Sequence, residues 1–270
     1  MRNWEKYEIE CTNYLNDRFK EYARFIHEGG SDSTIPDIKV ESYSRNNFFI
    51  DVKLSPAQCG QFVLIPDVET HSFEYSEKNA TRINTYAKQI VDFMNHDFER
   101  FKDSGTNGED IDMPNGSDIF ADWIITTYSG KGVEYFITNE YTILPIDRFK
   151  EYFDVTAKYR IKKSGSSSVG KSKIKSVVEY LKTNYNAINT ISINDSKIFL
   201  KSDEELHNKR FLLDGYEYMF SKRDNEFEIR KLSKTNNANV IFSIKHDEAT
   251  PGLTESEFII QLTKKVERDQ

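Results

Sequence analysis

Cysteine and long apolar segments are what this sequence has least of. Only Cys11 and Cys59 occur among its 270 residues, and without a C-x-x-C pair both a disulfide framework and a structural zinc site are disfavoured. No apolar run approaches the roughly 20 residues of a membrane-spanning helix. The charged first residues also lack the apolar stretch of a secretory signal. We therefore expect a cytoplasmic protein with no membrane partner.

Positive charge is also scarce. The chain has 37 Lys and Arg against 44 Asp and Glu, a formal net charge of −7, which argues against a general polyanion binder. The exception is the segment 158–175, which carries seven basic residues and no acid. Such a segment can bind a nucleic-acid backbone, or it can be an ordinary solvated loop. The candidate DNA contacts are Arg160, Lys162, Lys163, Lys171 and Lys173.

The remaining composition is that of a globular protein. Hydrophobic residues make up 37% of the chain, with 19 Phe and 15 Tyr, which is enough for a sizeable core. Apolar spacing predicts an amphipathic helix over residues 3–26 that Gly29 and Gly30 end. Strands are predicted over Ile35–Val40 and Phe48–Leu54.

The later elements follow from the same patterns. A helix is predicted over residues 79–101, a hairpin from Ala121–Tyr128 and Val133–Thr138, and a helix over residues 173–184. Five short strand candidates come after residue 196, and a final helix over Thr254–Val266 opens with a capping-box pattern. The N-terminal part is therefore α/β, and the C-terminal part is rich in strands.

Two acids and a lysine fall on the first two predicted strands. Asp37 follows Pro36 at the start of one strand, whereas Asp51 and Lys53 are two apart on the next and so share a face. In an antiparallel pair, Asp37 and Asp51 come within reach of one metal ion. Carboxylate oxygens suit Mg²⁺, and the carbonyl of Val52 could be a further ligand. Lys53 could orient an attacking water or offset negative charge.

The order Pro36-Asp37, a gap, then Asp51-Val52-Lys53 resembles the signature of the PD-(D/E)xK nuclease superfamily. That superfamily includes many type II restriction endonucleases and archaeal Holliday-junction resolvases. The resemblance implies a restriction-endonuclease-like core, a mixed β-sheet flanked by helices. The resemblance itself covers about residues 1–65 and extends at most to the strands near residue 145, and we predict that residues 1–160 form the nuclease core. Residues 161–270 would then supply a basic loop, a helix and a β-rich part for DNA recognition.

Members of this superfamily often add a glutamate from the preceding helix and a glutamine after the lysine. Glu8 and Glu10 are the candidates for the glutamate, and Glu8 is favoured because it shares the apolar face of the first helix. Gln58 and Gln61 are the candidates for a glutamine near the scissile phosphate, and Gln61 is the one we include in the site.

The resemblance implies a Mg²⁺-dependent endonuclease that cuts double-stranded DNA at a specific sequence and leaves 5′-phosphate ends. A type II restriction enzyme is favoured over a resolvase, because roughly 200 residues follow the motif. Cutting both strands normally needs two such sites, so a homodimer or a partner nuclease subunit is expected. A resolvase or repair nickase of the same superfamily is one alternative. A non-catalytic DNA-binding protein is another.

A second motif is discounted. Residues 165–172 read G-S-S-S-V-G-K-S and match the P-loop string, in which backbone amides cradle phosphates. The required context is an apolar strand directly before the loop, and KYRIKK is a poor match to one. We therefore expect no nucleotide cofactor.

Overall fold

The computed structural model describes residues 3–30 and 34–264, and the chain divides into two compact units. Among the described residues, unit 1 contains 3–30, 34–160 and 238–264, and unit 2 contains Ile161–Asn237. The segment from Ala238 onward, which the sequence pattern groups with the C-terminal part, thus packs in unit 1. The reason is that it supplies a strand to a sheet of that unit.

The elements of both units are defined by the following bounds. The α-helices are α1 (Asn3–Phe19), α2 (Thr85–His96), α3 (Phe98–Phe101), α4 (Gly116–Ser129), α5 (Phe149–Tyr152), α6 (Ile174–Asn184) and α7 (Glu255–Thr263). Short 3₁₀ turns cover Asn139–Tyr141, Ile146–Arg148 and Lys171–Lys173. The strands up to the unit boundary are β1 (Ala23–His27), β2 (Ile38–Ser42), β3 (Phe48–Val52), β4 (Ala57–Asp67), β5 (Ser72–Tyr75), β6 (Glu109–Asp110), β7 (Val133–Thr138), β8 (Thr142–Pro145) and β9 (Phe153–Lys163). The strands that follow are β10 (Ser166–Ser167), β11 (Ile188–Asn194), β12 (Lys197–Ser202), β13 (Arg210–Leu213), β14 (Tyr216–Arg223), β15 (Glu226–Leu232) and β16 (Asn236–His246).

The first sheet of unit 1 has the strand order β1-β2-β3-β7-β8. Its centre is mixed, because β2 and β3 are antiparallel with Ile38 opposite Ile50, whereas β3 and β7 are parallel. Helix α1 covers one face, and its Phe19 ring meets Phe258 of α7 at 5.0 Å. Each such buried aromatic or aliphatic side chain contributes about 1.5–3 kcal/mol, so this face holds α1 firmly against the sheet.

The second sheet of unit 1 has the order β5-β4-β16-β9-β6. Helix α4 packs between the two sheets. On one side Trp123 stacks on Phe242 of β16 at 4.4 Å, and on the other Tyr128 contacts Phe136 of β7 at 5.3 Å. The helix therefore ties the sheet that carries the predicted acids to the sheet that carries Gln58 and Gln61.

Unit 2 is one antiparallel sheet with the path β11-β12-β15-β14-β13, and β10 pairs with β15. Helix α6 covers one face, where alternate strand residues and the helix form a continuous core. On the sheet, the carboxylate of Glu228 is buried and paired with Arg223 at 3.0 Å and Arg230 at 2.6 Å. A buried charge needs such partners, since an isolated one is costly.

Several predicted elements are confirmed, and two are wrong. The strands after residue 196 and α6 are present as expected. The final helix is present with its capping box and ends at Thr263, whereas its predicted end, Val266, lies outside the described residues. Ala121–Tyr128, predicted as a strand, lies in α4, because its large apolar residues bury at helical spacing between two sheets. The predicted first helix ends at Phe19, and Ala23–His27 forms the edge strand β1 with alternating burial. Tertiary packing overrides local propensity at both places.

Two predictions from the sequence concern disulfide bonds and membrane-spanning helices. Cys11 and Cys59 are free and buried. Across the described ranges, the helices are too short or too polar to cross a bilayer.

Gly60 on β4 is a position where the backbone requires glycine. Its φ is +90°, and a Cβ would lie 2.7 Å from the Trp123 ring. We expect Gly60→Ala to destabilise the protein by about 1–3 kcal/mol through strain and overpacking. Urea unfolding measures the loss. Gly105→Ala is the matched control because a Cβ there meets nothing within 4 Å, and equal stabilities of the two variants would contradict the predicted strain at Gly60.

Candidate active site

Two predicted acids and the predicted lysine meet where β2 begins and β3 ends. Asp37 immediately precedes β2, and its Oδ2 accepts a 2.7 Å hydrogen bond from the backbone N–H of Val52. Asp51 on β3 is 5% exposed. The ammonium of Lys53 pairs with Asp51 and lies 4.0 Å from Asp37 Oδ2. The antiparallel register of β2 and β3 therefore brings all three side chains into one cluster.

Glu8 joins this cluster from α1. Its carboxylate is buried and lies 3.1 Å from Nε2 of His27 on β1. Gly29 shows how close Glu8 and Asp37 are, because a Cβ there would lie 2.5 Å from Glu8 Oε2 and 3.1 Å from Asp37 Oδ1. Glu10, the alternative candidate, instead pairs with Lys6 at 3.2 Å on the outer side of the helix.

Burial and mutual repulsion set the charge state of the cluster. Burial and the charge of Asp51 raise the pKa of Asp37 to about 8, and burial raises the pKa of Glu8 against the opposing effect of His27. Burial lowers the pKa of Lys53, but the charges of Asp51 and Asp37 outweigh it and hold that pKa well above its ordinary value. Lys53 is therefore protonated, and its ammonium compensates the acids.

The oxygen atoms around Lys53 are of the kind that a hard cation prefers. The Val52 carbonyl accepts a 3.2 Å hydrogen bond from Lys53 Nζ, and Asp51 Oδ2 is buried without a hydrogen bond of normal geometry. Within the described ranges, His, Cys, Asp and Glu side chains form no ready-made group of three for a metal ion. Two carboxylates, a carbonyl and waters are nonetheless a donor set that fits Mg²⁺. The ammonium of Lys53 lies among these atoms.

Aromatic and thiol groups surround the other side of Lys53. Its Nζ lies 5.6 Å from the centre of the Tyr128 ring of α4. Cys59 on β4 is fully buried, and burial raises the pKa of its thiol to about 12. Cys59 is therefore a neutral packing residue rather than a nucleophile, since the thiolate is the reactive form.

Gln58, Gln61 and Lys53 all line one cavity, which has a volume of about 260 Å³. Gln61 Oε1 accepts hydrogen bonds from Gln58 Nε2 at 3.3 Å and from Asn239 Nδ2 of β16 at 3.1 Å. The structure thus brings Gln61 near Lys53. Whether Gln61 takes part in catalysis stays a prediction.

The basic segment lies apart in sequence from the cluster and crosses the unit boundary. Arg160 is the last residue of the first segment of unit 1, whereas Lys162, Lys163, Lys171 and Lys173 belong to unit 2. Three of the predicted DNA contacts have acidic partners: Lys163 with Glu217 at 3.4 Å, Lys171 with Asp195 at 2.8 Å and Lys173 with Asp214 at 3.0 Å. The contacts that we predict from Arg160, Lys162, Lys163, Lys171 and Lys173 to DNA stay predictions.

The P-loop string does not form a phosphate-binding loop in the described structure. Ser166 and Ser167 pair as a short strand with Leu232 and Lys231 of β15. Their backbone groups thus face a neighbouring strand, and the preceding strand belongs to antiparallel pairings rather than to a strand–loop–helix unit. The expectation of no nucleotide cofactor stays a prediction.

Sequence reasoning missed three residues around the cluster. His27 directly follows a segment predicted as a helix, Tyr128 ends a segment predicted as a strand, and Lys131 belongs to no motif of the sequence. No local signal marks them, because His27 depends on the β1–β2 pairing and the other two on where α4 ends against β3.

Comparison with known proteins bears on the fold. HhaI endonuclease, solved in complex with DNA, superposes with a TM-score of 0.65 and is 35% identical in sequence, and the match covers 96% of this chain and 95% of that one. No protein-family model and no curated protein sequence matches the chain. The likeness confirms the predicted restriction-endonuclease-like fold. This chain belongs to the same protein family as HhaI endonuclease.

The raised pKa of Asp37 makes stability depend on pH in a defined direction. Between the ordinary pKa of 3.8 and about 8, the unfolded chain releases this proton while the folded chain retains it, so stability falls as the pH rises. Asparagine does not titrate and can still accept the Val52 hydrogen bond. In metal-free buffer above pH 8, Asp37→Asn should therefore be more stable than wild type by at least about 1 kcal/mol, because one pKa unit corresponds to about 1.4 kcal/mol.

Thermal unfolding in EDTA from pH 4 to pH 9 tests this expectation. The two proteins should approach each other as the pH falls towards 4, where the unfolded wild type also begins to bind the proton. Asp17→Asn, an exposed position on α1, is the matched control and should leave the pH dependence unchanged. A difference between Asp37→Asn and wild type that is constant over the whole range would contradict a protonated Asp37 carboxyl in the folded protein.

Proposed function

We propose that this protein is a Mg²⁺-dependent DNA endonuclease of the PD-(D/E)xK type that cuts duplex DNA at a specific sequence, as type II restriction enzymes do. The observation that carries the proposal is the meeting of Asp37, Asp51 and Lys53 at the ends of β2 and β3. Family membership with HhaI endonuclease supports it, because that protein is an endonuclease solved with DNA.

The roles of the side chains follow from their contacts. Asp37 and Asp51, with the Val52 carbonyl, would hold the metal, and Glu8 would complete the site from α1. The Val52 N–H fixes one oxygen of Asp37, and His27 orients the Glu8 carboxylate. When bound, Mg²⁺ would lower the pKa of a bound water and neutralise charge that develops on the phosphate.

Lys53 would act as a cation rather than as a base. The charges of the acids keep its ammonium protonated, so it can donate hydrogen bonds to an attacking water or to a phosphate oxygen. A donor of this kind, aimed at developing negative charge in a partly dehydrated site, is usually worth a large rate factor. Attack on phosphorus with loss of the 3′ oxygen leaves products with 5′-phosphate ends.

Each chain carries one such cluster within its described residues. A double-strand cut then needs two copies, a partner nuclease subunit, or two successive events by one copy. We propose that the cut is made by two copies of this chain or by one copy with a partner nuclease subunit. A persistent nicked-circle intermediate during plasmid cleavage at excess enzyme would favour successive events instead.

Removal of the acid or the lysine should abolish cleavage while DNA binding persists. We expect Asp51→Asn and Lys53→Ala to lower the cleavage rate of plasmid and phage DNA in Mg²⁺ by at least roughly 10²–10³-fold, because each removes a charge from the reacting centre. Gel assays measure the rate, and sequencing of the DNA ends gives the site and the 5′-phosphate.

Lys39→Ala is the matched control, because Lys39 is on β2 but pairs with Glu41 at 2.8 Å away from the cluster. It should cleave like wild type, and circular dichroism should show that all variants are folded. Intact DNA after incubation with the wild type, or normal cleavage by Asp51→Asn, would contradict the catalytic assignment. Preferential cleavage of branched DNA over linear duplex DNA would indicate a resolvase instead of a restriction enzyme.

Gly29→Ala tests Glu8 without removing its charge. The new Cβ would lie 2.5 Å from Glu8 Oε2 and 3.1 Å from both Asp37 Oδ1 and His27 Nε2. Because the Glu8 contact is the closest and is at the end of a flexible side chain, the Glu8 carboxylate should move the most. We expect the Mg²⁺ concentration for half-maximal cleavage to rise about 10-fold or more, as for other losses of ligand positioning. Magnesium titration of the cleavage rate measures it.

The neighbouring Gly30 supplies the control, because a Cβ there meets nothing within 4 Å. Gly30→Ala should keep the wild-type magnesium requirement. An unchanged requirement in Gly29→Ala would remove Glu8 from the metal site.

A further inference from the structure

A β-bulge on β4 places two glutamines on one side of the second sheet. Gln58 and Gln61 are three residues apart, a spacing that points side chains to opposite faces of a regular strand. The pairing with β16 sets Gln61 opposite Ile241. It sets Gln58 opposite Ser243, so three steps along β4 match two steps along β16. The extra residue is the bulge, and the 3.3 Å hydrogen bond from Gln58 Nε2 to Gln61 Oε1 shows that both side chains share one side.

Gly60 allows the backbone to form this bulge. Its φ of +90° lies in the left-handed region that glycine adopts without strain, and a Cβ would lie 2.7 Å from the Trp123 ring of α4. Cys59 and Phe62 are also three residues apart, and both are buried. The bulge therefore buries these two side chains and leaves both glutamines exposed. Bulges that re-aim side chains in this way are common beside active sites.

The two glutamines belong to a network of neutral amides. Gln61 Oε1 also accepts a 3.1 Å hydrogen bond from Asn239 Nδ2 of β16. Asn239 is 7% exposed, and its Oδ1 is buried without a hydrogen-bond partner among the described residues. Within the same part of the chain, the NH₂ group of Gln61 and the carbonyl oxygen of Gln58 make no hydrogen bond. The network therefore fixes both glutamines and still offers a donor group and an acceptor to a ligand.

This pair of amides lies beside the candidate active site. Gln58, Gln61 and Lys53 line the same cavity, and Lys53 contacts the two acids that would hold the metal. Successive phosphates of one DNA strand are only about 3.4 Å apart along the helix axis. A duplex whose scissile phosphate lies at the cluster therefore brings its neighbouring nucleotides to the two glutamines.

The chemistry of the pair matches the edge of a base better than a phosphate. Phosphate oxygens only accept hydrogen bonds, so they cannot donate to the carbonyl oxygen of Gln58. Base pairs present both donors and acceptors in the major groove, and glutamine amides are among the side chains that read them. Neutral amides also add nothing to the salt-dependent attraction for the DNA backbone. A contact from this pair therefore discriminates between sequences rather than raising the affinity for all DNA.

We propose that Gln58 and Gln61 read one base pair next to the scissile phosphate, with the Gln61 NH₂ group as the donor and the Gln58 carbonyl as the acceptor. Asn239 fixes Gln61 by its hydrogen bond to Oε1. In this role Gln61 contacts a base and not the scissile phosphate. The proposal rests on the proposed endonuclease function and deepens it, because it assigns part of the sequence specificity to β4.

Selection of DNA without cleavage tests this role. Full-length protein is mixed with duplexes of randomised sequence in buffer with Ca²⁺ in place of Mg²⁺, and the bound duplexes are sequenced. Wild type should enrich one short motif. Gln61→Ala should lose about 10-fold of the preference at one base pair of that motif, which is the size of a good amide contact to a base, and keep the preference at the others. Gln58→Ala should lose it at the same base pair, and so should Gln61→Glu, which keeps the acceptor oxygen and removes the donor.

Gln89→Ala is the matched control, because Gln89 is an exposed glutamine on α2. It should enrich the wild-type motif. No motif with wild type, an unchanged motif in both Gln61 variants, or an equal loss of affinity for all duplexes without a change of motif would overturn the base contact. DNA cleavage with an unchanged motif refutes this contact alone. A motif that depends on Gln61 without DNA cleavage refutes the endonuclease and leaves a sequence-specific DNA-binding protein.

Discussion

The pairing of β2 with β3 is the constraint on which the candidate site depends. Ile38 lies opposite Ile50, and the same register carried one step further sets Asp37 beside Asp51. The hydrogen bond from the Val52 N–H to Asp37 locks this arrangement. A shift of one residue in the register would turn Asp51 and Lys53 to the other face of the sheet, and the buried apolar residues on both strands make that shift costly.

The surroundings of this cluster disfavour charged carboxylates. Glu8 and Asp51 are buried and Asp37 is partly buried, and burial first, with the charge of Asp51 adding to it, raises the pKa of Asp37 and that of Glu8. Lys53 offsets part of this charge, and Tyr128 and the buried Cys59 enclose Lys53. Such perturbed groups concentrate at functional sites, which is in accord with the similarity of the chain to HhaI endonuclease.

The two sheets of unit 1 are joined by α4, and this has a functional consequence. The helix packs Trp123 on one sheet and Tyr128 on the other. The cavity that contains Gln61 therefore opens beside the lysine that the first sheet supplies. This cavity exists because α4 is a helix. The strand that the sequence pattern predicts for Ala121–Tyr128 would not bring these groups together.

The sequence by itself determined the charged cluster and much of the fold class. Asp37, Asp51 and Lys53 fall on two strands whose apolar patterns are strong, and Glu8 shares the buried face of an amphipathic helix. Local periodicity suffices there because neighbouring strands and the helix before them pair by short connections. Only the tertiary structure decided that α4 is a helix, that β16 returns to unit 1, and that His27, Tyr128 and Lys131 surround the cluster. Those contacts join residues far apart in the chain, and no local pattern encodes packing between distant elements.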